Sequence, residues 1–150
     1  MSVEREAATA EWSGGQSVAG VEPAGLRARV LVVDDDQVDR MAVRRLLAGA
    51  PGEIRVDEAD GVLAAIDRLA GGEFDCVVLD YNLPDGDGLT FLRGLRTAGL
   101  EVPVVMLTGQ EDTGVARDLI LAGAAAYIPK ARLSADLLLA SLRDAIRARP

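Results

Sequence analysis

Histidine does not occur in the 150-residue sequence. That excludes histidine zinc sites, Ser-His-Asp triads and a histidine general base, and the chain cannot carry a phosphohistidine. Any phosphoryl chemistry must then rest on carboxylates, a lysine, hydroxyls and a metal. Cysteine occurs once, at Cys76. No intrachain disulfide can form, a cytoplasmic location is expected, and Cys76 reads as a small buried residue. Aromatics are 3% of a chain that is 49% hydrophobic, so the core must be aliphatic. Basic residues number 16 against 24 acidic ones. The net charge of -8 argues against direct nucleic-acid binding, which needs a basic surface to displace counterions. No apolar run is long enough for membrane insertion, and the acidic opening MSVEREAATAEW lacks the apolar region of a signal peptide.

Residues 1–27 read as a flexible N-terminal tail in which GGQSVAGVEPAG is a linker without hydrophobic period. The competing reading is a short helix over Glu4–Trp12 that docks through Trp12, the single tryptophan. Residues 28–150 read as one domain. Continuous apolar runs at RVLVVD, CVVLD and VPVVML suit strands covered on both faces, and Ile54–Ala59 and Ala126–Ile128 supply two more. Helical spacing falls between them: Val38–Gly49, Gly61–Leu69 after a capping Asp60, Gly88–Ala98, Thr113–Ala122, and Ala135–Arg147 after a capping Ser134. The alternation predicts an α/β fold, a flavodoxin-like (βα)5 doubly wound parallel sheet with strand order 2-1-3-4-5.

In such a sheet, sites lie beyond the carboxyl ends of the strands. Asp34 and Asp35 follow the first strand, Asp80 ends the third, Thr108 follows the fourth and Lys130 the fifth. Their convergence in one pocket is expected. Clustered carboxylates repel unless a cation offsets them, and Mg²⁺ takes one or two carboxylates together with phosphate oxygen and water. Asp34 and Asp35 are suited to hold the ion, with the Asn82 backbone carbonyl as a further ligand. Asp80 then becomes a carboxylate nucleophile for phosphorus, and Lys130 and Thr108 meet the phosphoryl oxygens.

LVVDDD, VVLDYNLPDGDGL, VVMLTG and AYIPK resemble the motifs of bacterial response-regulator receiver domains, in their stand-alone, chemotaxis-regulator-like form. The resemblance covers about residues 29 to 147. It implies Mg²⁺ on Asp34, Asp35 and Asp80, and Asp80 as the phosphoacceptor. It implies that Thr108 and Lys130 contact the phosphoryl group. It implies that Tyr127 couples to Thr108 and alters the face formed by the last strand and its flanking helices. Asn82 and Gln110 are implied to tune dephosphorylation. The implied donor is a histidine kinase or histidine phosphotransfer protein, and the output is contact with a downstream protein or onward relay. The chain is then a phosphorylation switch with intrinsic chemistry and not an enzyme. Since it ends at Pro150, soon after the last helix, no output domain is expected.

There are departures from the pattern. Ala131 stands after Lys130 where relatives commonly carry a cis proline, so a trans peptide is expected. Pro129 removes a backbone donor, which an edge strand tolerates. Gly86 and Ala124–Ala126 are atypical. The strand and acids of VLVVDDDQV also fit haloacid-dehalogenase-like phosphatases, with Asp34 as nucleophile and Asp36 as acid/base. That reading lacks an acidic metal motif after Lys130 and leaves Asp80 unexplained. Helix capping explains one of Asp34–Asp36, but not three. A receiver-like binding module independent of phosphorylation is the remaining alternative.

Overall fold

The computed structural model describes residues 25–109 and 113–149, which leaves Trp12, nearly all of the tail and Gln110 outside the described residues. Strands β1 (Leu26–Val33), β2 (Gly52–Ala59), β3 (Cys76–Asp80), β6 (Val104–Thr108) and β7 (Ala126–Pro129) form one parallel sheet. Its order is β2-β1-β3-β6-β7, which is the expected 2-1-3-4-5. Helices α1 (Gln37–Ala48), α2 (Val62–Gly71), α3 (Gly88–Thr97), α4 (Thr113–Leu121) and α5 (Ala135–Arg147) alternate with the strands. The remaining strands, β4 (Asn82–Leu83) and β5 (Gly86–Asp87), make a small antiparallel hairpin that the sequence did not announce.

Alternation along the strands divides the core into two layers. Leu31, Val33, Val77, Leu79, Val104 and Met106 pack with Ala65 of α2, Leu92 of α3 and Leu119 of α4. Val30, Val32, Val78, Val105, Leu107 and Ile128 pack with Val43 of α1 and Leu138 and Leu142 of α5. Every residue of β3 and β6 is buried, as their unbroken apolar runs require. β1 begins earlier than its apolar run, two residues inside the segment read as tail. Leu26 and Ala28 point inward while Arg27 is exposed, so this end of the strand alternates and hides its strand character. Pro129 sits on an edge strand, as anticipated, and the Lys130–Ala131 peptide is trans like all the others among the described residues.

The helix starts show which local rules held. Asp36 caps α1 by accepting the Val38 N–H at 2.8 Å, and Ser134 caps α5 through the Leu137 N–H at 3.1 Å. Asp60 does not cap α2. The hairpin does so instead: Asp85 accepts the Val62 N–H at 2.8 Å and the Leu63 N–H at 3.1 Å. Gly61 makes room for this, because a Cβ there would lie 2.8 Å from Asp85 Oδ1. The hairpin that follows the end of β3 is thereby fastened to the neighbouring helix.

Candidate functional site

The sheet's carboxyl edge holds the polar residues that the core rejects. Asp34 follows β1, and its N–H donates to Ala59 O at 3.1 Å, extending the β1–β2 ladder by one residue. Asp80 ends β3 opposite Leu107 of β6. The Tyr81 N–H donates to Leu107 O at 2.9 Å, and the Gly88 N–H donates to Tyr81 O at 2.6 Å. Gly88 is needed here. A Cβ at that position would come within 2.7 Å of the Met106 methyl and 2.9 Å of Asp80 O. The first residue of α3 thus presses directly on the backbone that carries Asp80.

Asp34 is only 2% exposed and Asp80 5%, while Asp35 faces solvent. One carboxylate oxygen from each of these three residues lies within 4.8 Å of the others. Lys130 begins a short 3-10 turn, Lys130–Arg132, after β7 and reaches back over the edge. Its ammonium lies 3.0 Å from Asp34 Oδ2, 2.7 Å from Asp39 Oδ2 and 3.2 Å from Asp80 Oδ1. These groups line a cleft of about 450 Å³ together with Asp36, Asn82, Leu83, Pro84 and Gly109.

The electrostatics follow from burial. Desolvation, reinforced by the charge of Asp34, pushes the Asp80 carboxyl up to about 6, although Lys130 and the Asn82 N–H pull the other way. Burial also raises Asp34, against the Asp36 N–H and Lys130. Burial would lower Lys130, but its hydrogen bonds to Asp39 and Asp34 and the charge of Asp80 outweigh that and raise it. The cluster thus carries more negative charge than one ammonium neutralises. Hard oxygen donors in this arrangement suit Mg²⁺, which prefers carboxylates and water.

Asp34, Asp35, Asp80, Asn82 and Lys130 meet as expected, but Thr108 does not line the cleft with them. It is fully buried at the end of β6. Strand alternation places it with Val104 and Met106, in the layer of α3 and α4, whereas Asp80 follows the parity of Val78 on the other side. Tyr127, half-buried beside Met106 on β7, belongs to the same layer as Thr108. The Thr108 backbone ends next to the cleft, and Gly109 forms that part of its wall.

Asp39 is a residue of the site that sequence reasoning missed: it meets Lys130 at 2.7 Å. It lies three residues after the capping Asp36, in the first turn of α1. That spacing offers only the signal of a first-turn acid, and it is the docking of α1 that brings it to Lys130. The phosphatase-like roles find no support: Asp36 is occupied as a helix cap, and the two acids of the chain after Lys130, Asp136 and Asp144, both lie in α5.

The fold is a doubly wound α/β domain with an acidic cleft and a lysine at the carboxyl edge of its parallel sheet. The chain matches the response regulator receiver domain family over residues 30–143, and it belongs to that family. It is 37% identical over 119 residues to "Response regulator MprA" of Mycobacterium sp. (strain KMS), covering 79% of this chain and 50% of the relative. The figure for the same regulator of Mycobacterium avium (strain 104) is 36%, covering 79% and 51%. The chain thus spans about half the length of the curated relatives it matches. Among solved structures, a LuxR-family two-component response regulator from Aurantimonas sp. SI85-9A1 superposes with a TM-score of 0.74 at 27% identity, covering 81% of this chain and 86% of that one. Chemotaxis response regulator CheY4 of Vibrio cholerae gives 0.68 at 27% identity, covering 79% and 98%. No helix among the described residues is long and apolar enough to cross a membrane.

Proposed function

We propose that Asp80 accepts a phosphoryl group from the phosphohistidine of a histidine kinase or histidine phosphotransfer protein. The observation that carries this reading is the placement of Asp80: nearly buried at the end of a central strand, clustered with Asp34 and Asp35, and 3.2 Å from Lys130. A carboxylate oxygen of Asp80 forms the new bond to phosphorus while the P–N bond to the donor imidazole breaks, and that imidazole takes up a proton. The sequence contains no histidine, so the donor lies outside these 150 residues. Mg²⁺ fits the three carboxylates, Asn82 of the same cleft would offer its backbone carbonyl as a further ligand, and the ion when bound would neutralise charge on the transferring group. Lys130 neutralises a further phosphoryl oxygen.

The readout uses the opposite layer. Thr108 moves its hydroxyl toward the phosphoryl group, and Tyr127 follows within the shared layer. The face formed by α4, β7 and α5 then changes its affinity for a protein partner. Ile120 and Leu121 on α4 and Leu137 on α5 are exposed apolar side chains that suit such contact. Asn82, at the cleft wall, and Gln110 adjust the lifetime of the acyl phosphate. The receiver unit begins with β1 at Leu26, and the setting is cytoplasmic.

Incubation with acetyl phosphate and Mg²⁺ tests the core of this reading. Intact mass should show one added phosphoryl group in the wild type and none in Asp80→Asn. Phosphatase activity that survives Asp80→Ala but vanishes in Asp34→Ala would replace this reading with the haloacid-dehalogenase-like one. Protein that takes up no label from acetyl phosphate or phosphorylated kinases would instead be a binding module.

A further inference from the structure

Lys130 and a divalent cation want the same oxygens. Asp34 has both of its oxygens engaged: Oδ1 accepts the Asp36 N–H at 2.9 Å, and Oδ2 accepts Lys130 at 3.0 Å. Asp80 Oδ1 is also in contact with Lys130. A cation held by these carboxylates repels the ammonium and competes with it for Asp34. Arg40 offers no substitute, because its guanidinium is tied to Glu58 at 2.8 Å and to the backbone carbonyl of Asp34 at 2.7 Å. The displaced ammonium needs an anion outside the cation's ligand set.

Asp39 is placed to be that anion. It makes the shortest of the three contacts to Lys130, at 2.7 Å, and is not one of the three clustered carboxylates. It projects from the first turn of α1, whose start is fixed by the Asp36 cap. We propose that Asp39 is a positioning residue that takes Lys130 over from Asp34 when a divalent cation enters and keeps the ammonium within reach of Asp80. The proposal rests on the cation-assisted reading of the site. Without Asp39, Lys130 falls back on Asp34 and Asp80 and opposes the cation there. Its charge also loses its anchor on the side where the phosphoryl group arrives.

The test is a calorimetric Mg²⁺ titration of the wild type, Asp39→Asn, Asp39→Glu, Lys130→Ala and the Asp39→Asn/Lys130→Ala pair, with thermal melting as the folding control. Asp39→Asn should weaken Mg²⁺ binding about 5-fold, below the roughly 10–100-fold typical of residues that orient a metal's ligands because Asp39 is partly exposed. Asp39→Glu should stay within about 2-fold of wild type, since it restores the anion. In the Lys130→Ala background the Asp39→Asn loss should shrink to less than about 2-fold, because the residue acts through the lysine. A loss of equal size in both backgrounds overturns the proposal and makes Asp39 a bare charge. An unchanged dissociation constant in Asp39→Asn overturns it as well, as does a wild type that binds no Mg²⁺. The expected pattern of Mg²⁺ affinities without phosphoryl uptake on Asp80 would sustain the role of Asp39 and defeat the proposed function.

Discussion

Replacing Asp80 by asparagine should stabilise the protein at neutral pH. The carboxyl sits at about 6 in the folded chain against an ordinary 3.8, mainly because it is buried and secondly because Asp34 repels it. Between roughly pH 4 and pH 6 the folded state therefore binds a proton that the unfolded state has released. Stability falls as pH rises through this window, and the deficit is constant above it. The full difference corresponds to about 3 kcal/mol at pH 7.5. Solvent at the open cleft screens part of this, and the neutral amide would lose the attraction of Lys130, so about 1–2 kcal/mol is the expected gain. Urea unfolding of wild type and Asp80→Asn in a chelator at pH 7.5 reads the difference directly. Repeated below pH 4, where the aspartate is protonated, the two midpoints should converge. A variant less stable than wild type at pH 7.5, or a gap that does not depend on pH, would refute the electrostatic account. Millimolar Mg²⁺ should narrow the gap by stabilising the wild type.

Three further outcomes are expected. Gly88→Ala should destabilise the fold by about 2–3 kcal/mol in urea unfolding, because the new Cβ collides with Met106 and the Asp80 carbonyl, and it should slow phosphoryl uptake as well. Asp85→Ala should accelerate amide hydrogen exchange at Val62 and Leu63, whose N–H groups lose their acceptor, while α1 and α5 exchange as before. Cys76 should resist thiol reagents in the folded protein, since it is fully buried and its thiol is pushed up to about 12 by desolvation. Labelling should track global unfolding in denaturant.

The sheet was legible because VLVV, CVVL and VVML are central strands with no solvent face to impose alternation. Asp34, Asp80 and Lys130 were legible because strand ends in a parallel sheet deliver side chains to a single edge. The unread parts depend on tertiary placement. Two-residue strands such as β4 and β5 carry no periodicity. Asp60 was the local candidate to cap α2, yet a carboxylate 23 residues beyond Val62 took the role because the hairpin folds back onto the helix. The contact of Asp39 with Lys130 joins residues 91 positions apart and is written in neither neighbourhood. Convergence at an edge also says nothing about which side of the sheet a residue serves: Thr108 is buried at the end of β6, and its neighbour Gly109 is the residue that lines the cleft.

That division of the edge has an evolutionary consequence. The carboxylates and Lys130 share one side by strand alternation, Thr108 and Tyr127 the other, and the sheet backbone, including the Tyr81–Leu107 hydrogen bond, lies between them. Backbone pairing is indifferent to side-chain identity, so drift on one side need not be answered on the other. New partners can be acquired by rewriting exposed side chains such as Leu121 on α4 and Leu137 on α5, with the carboxylates and Lys130 left as they are.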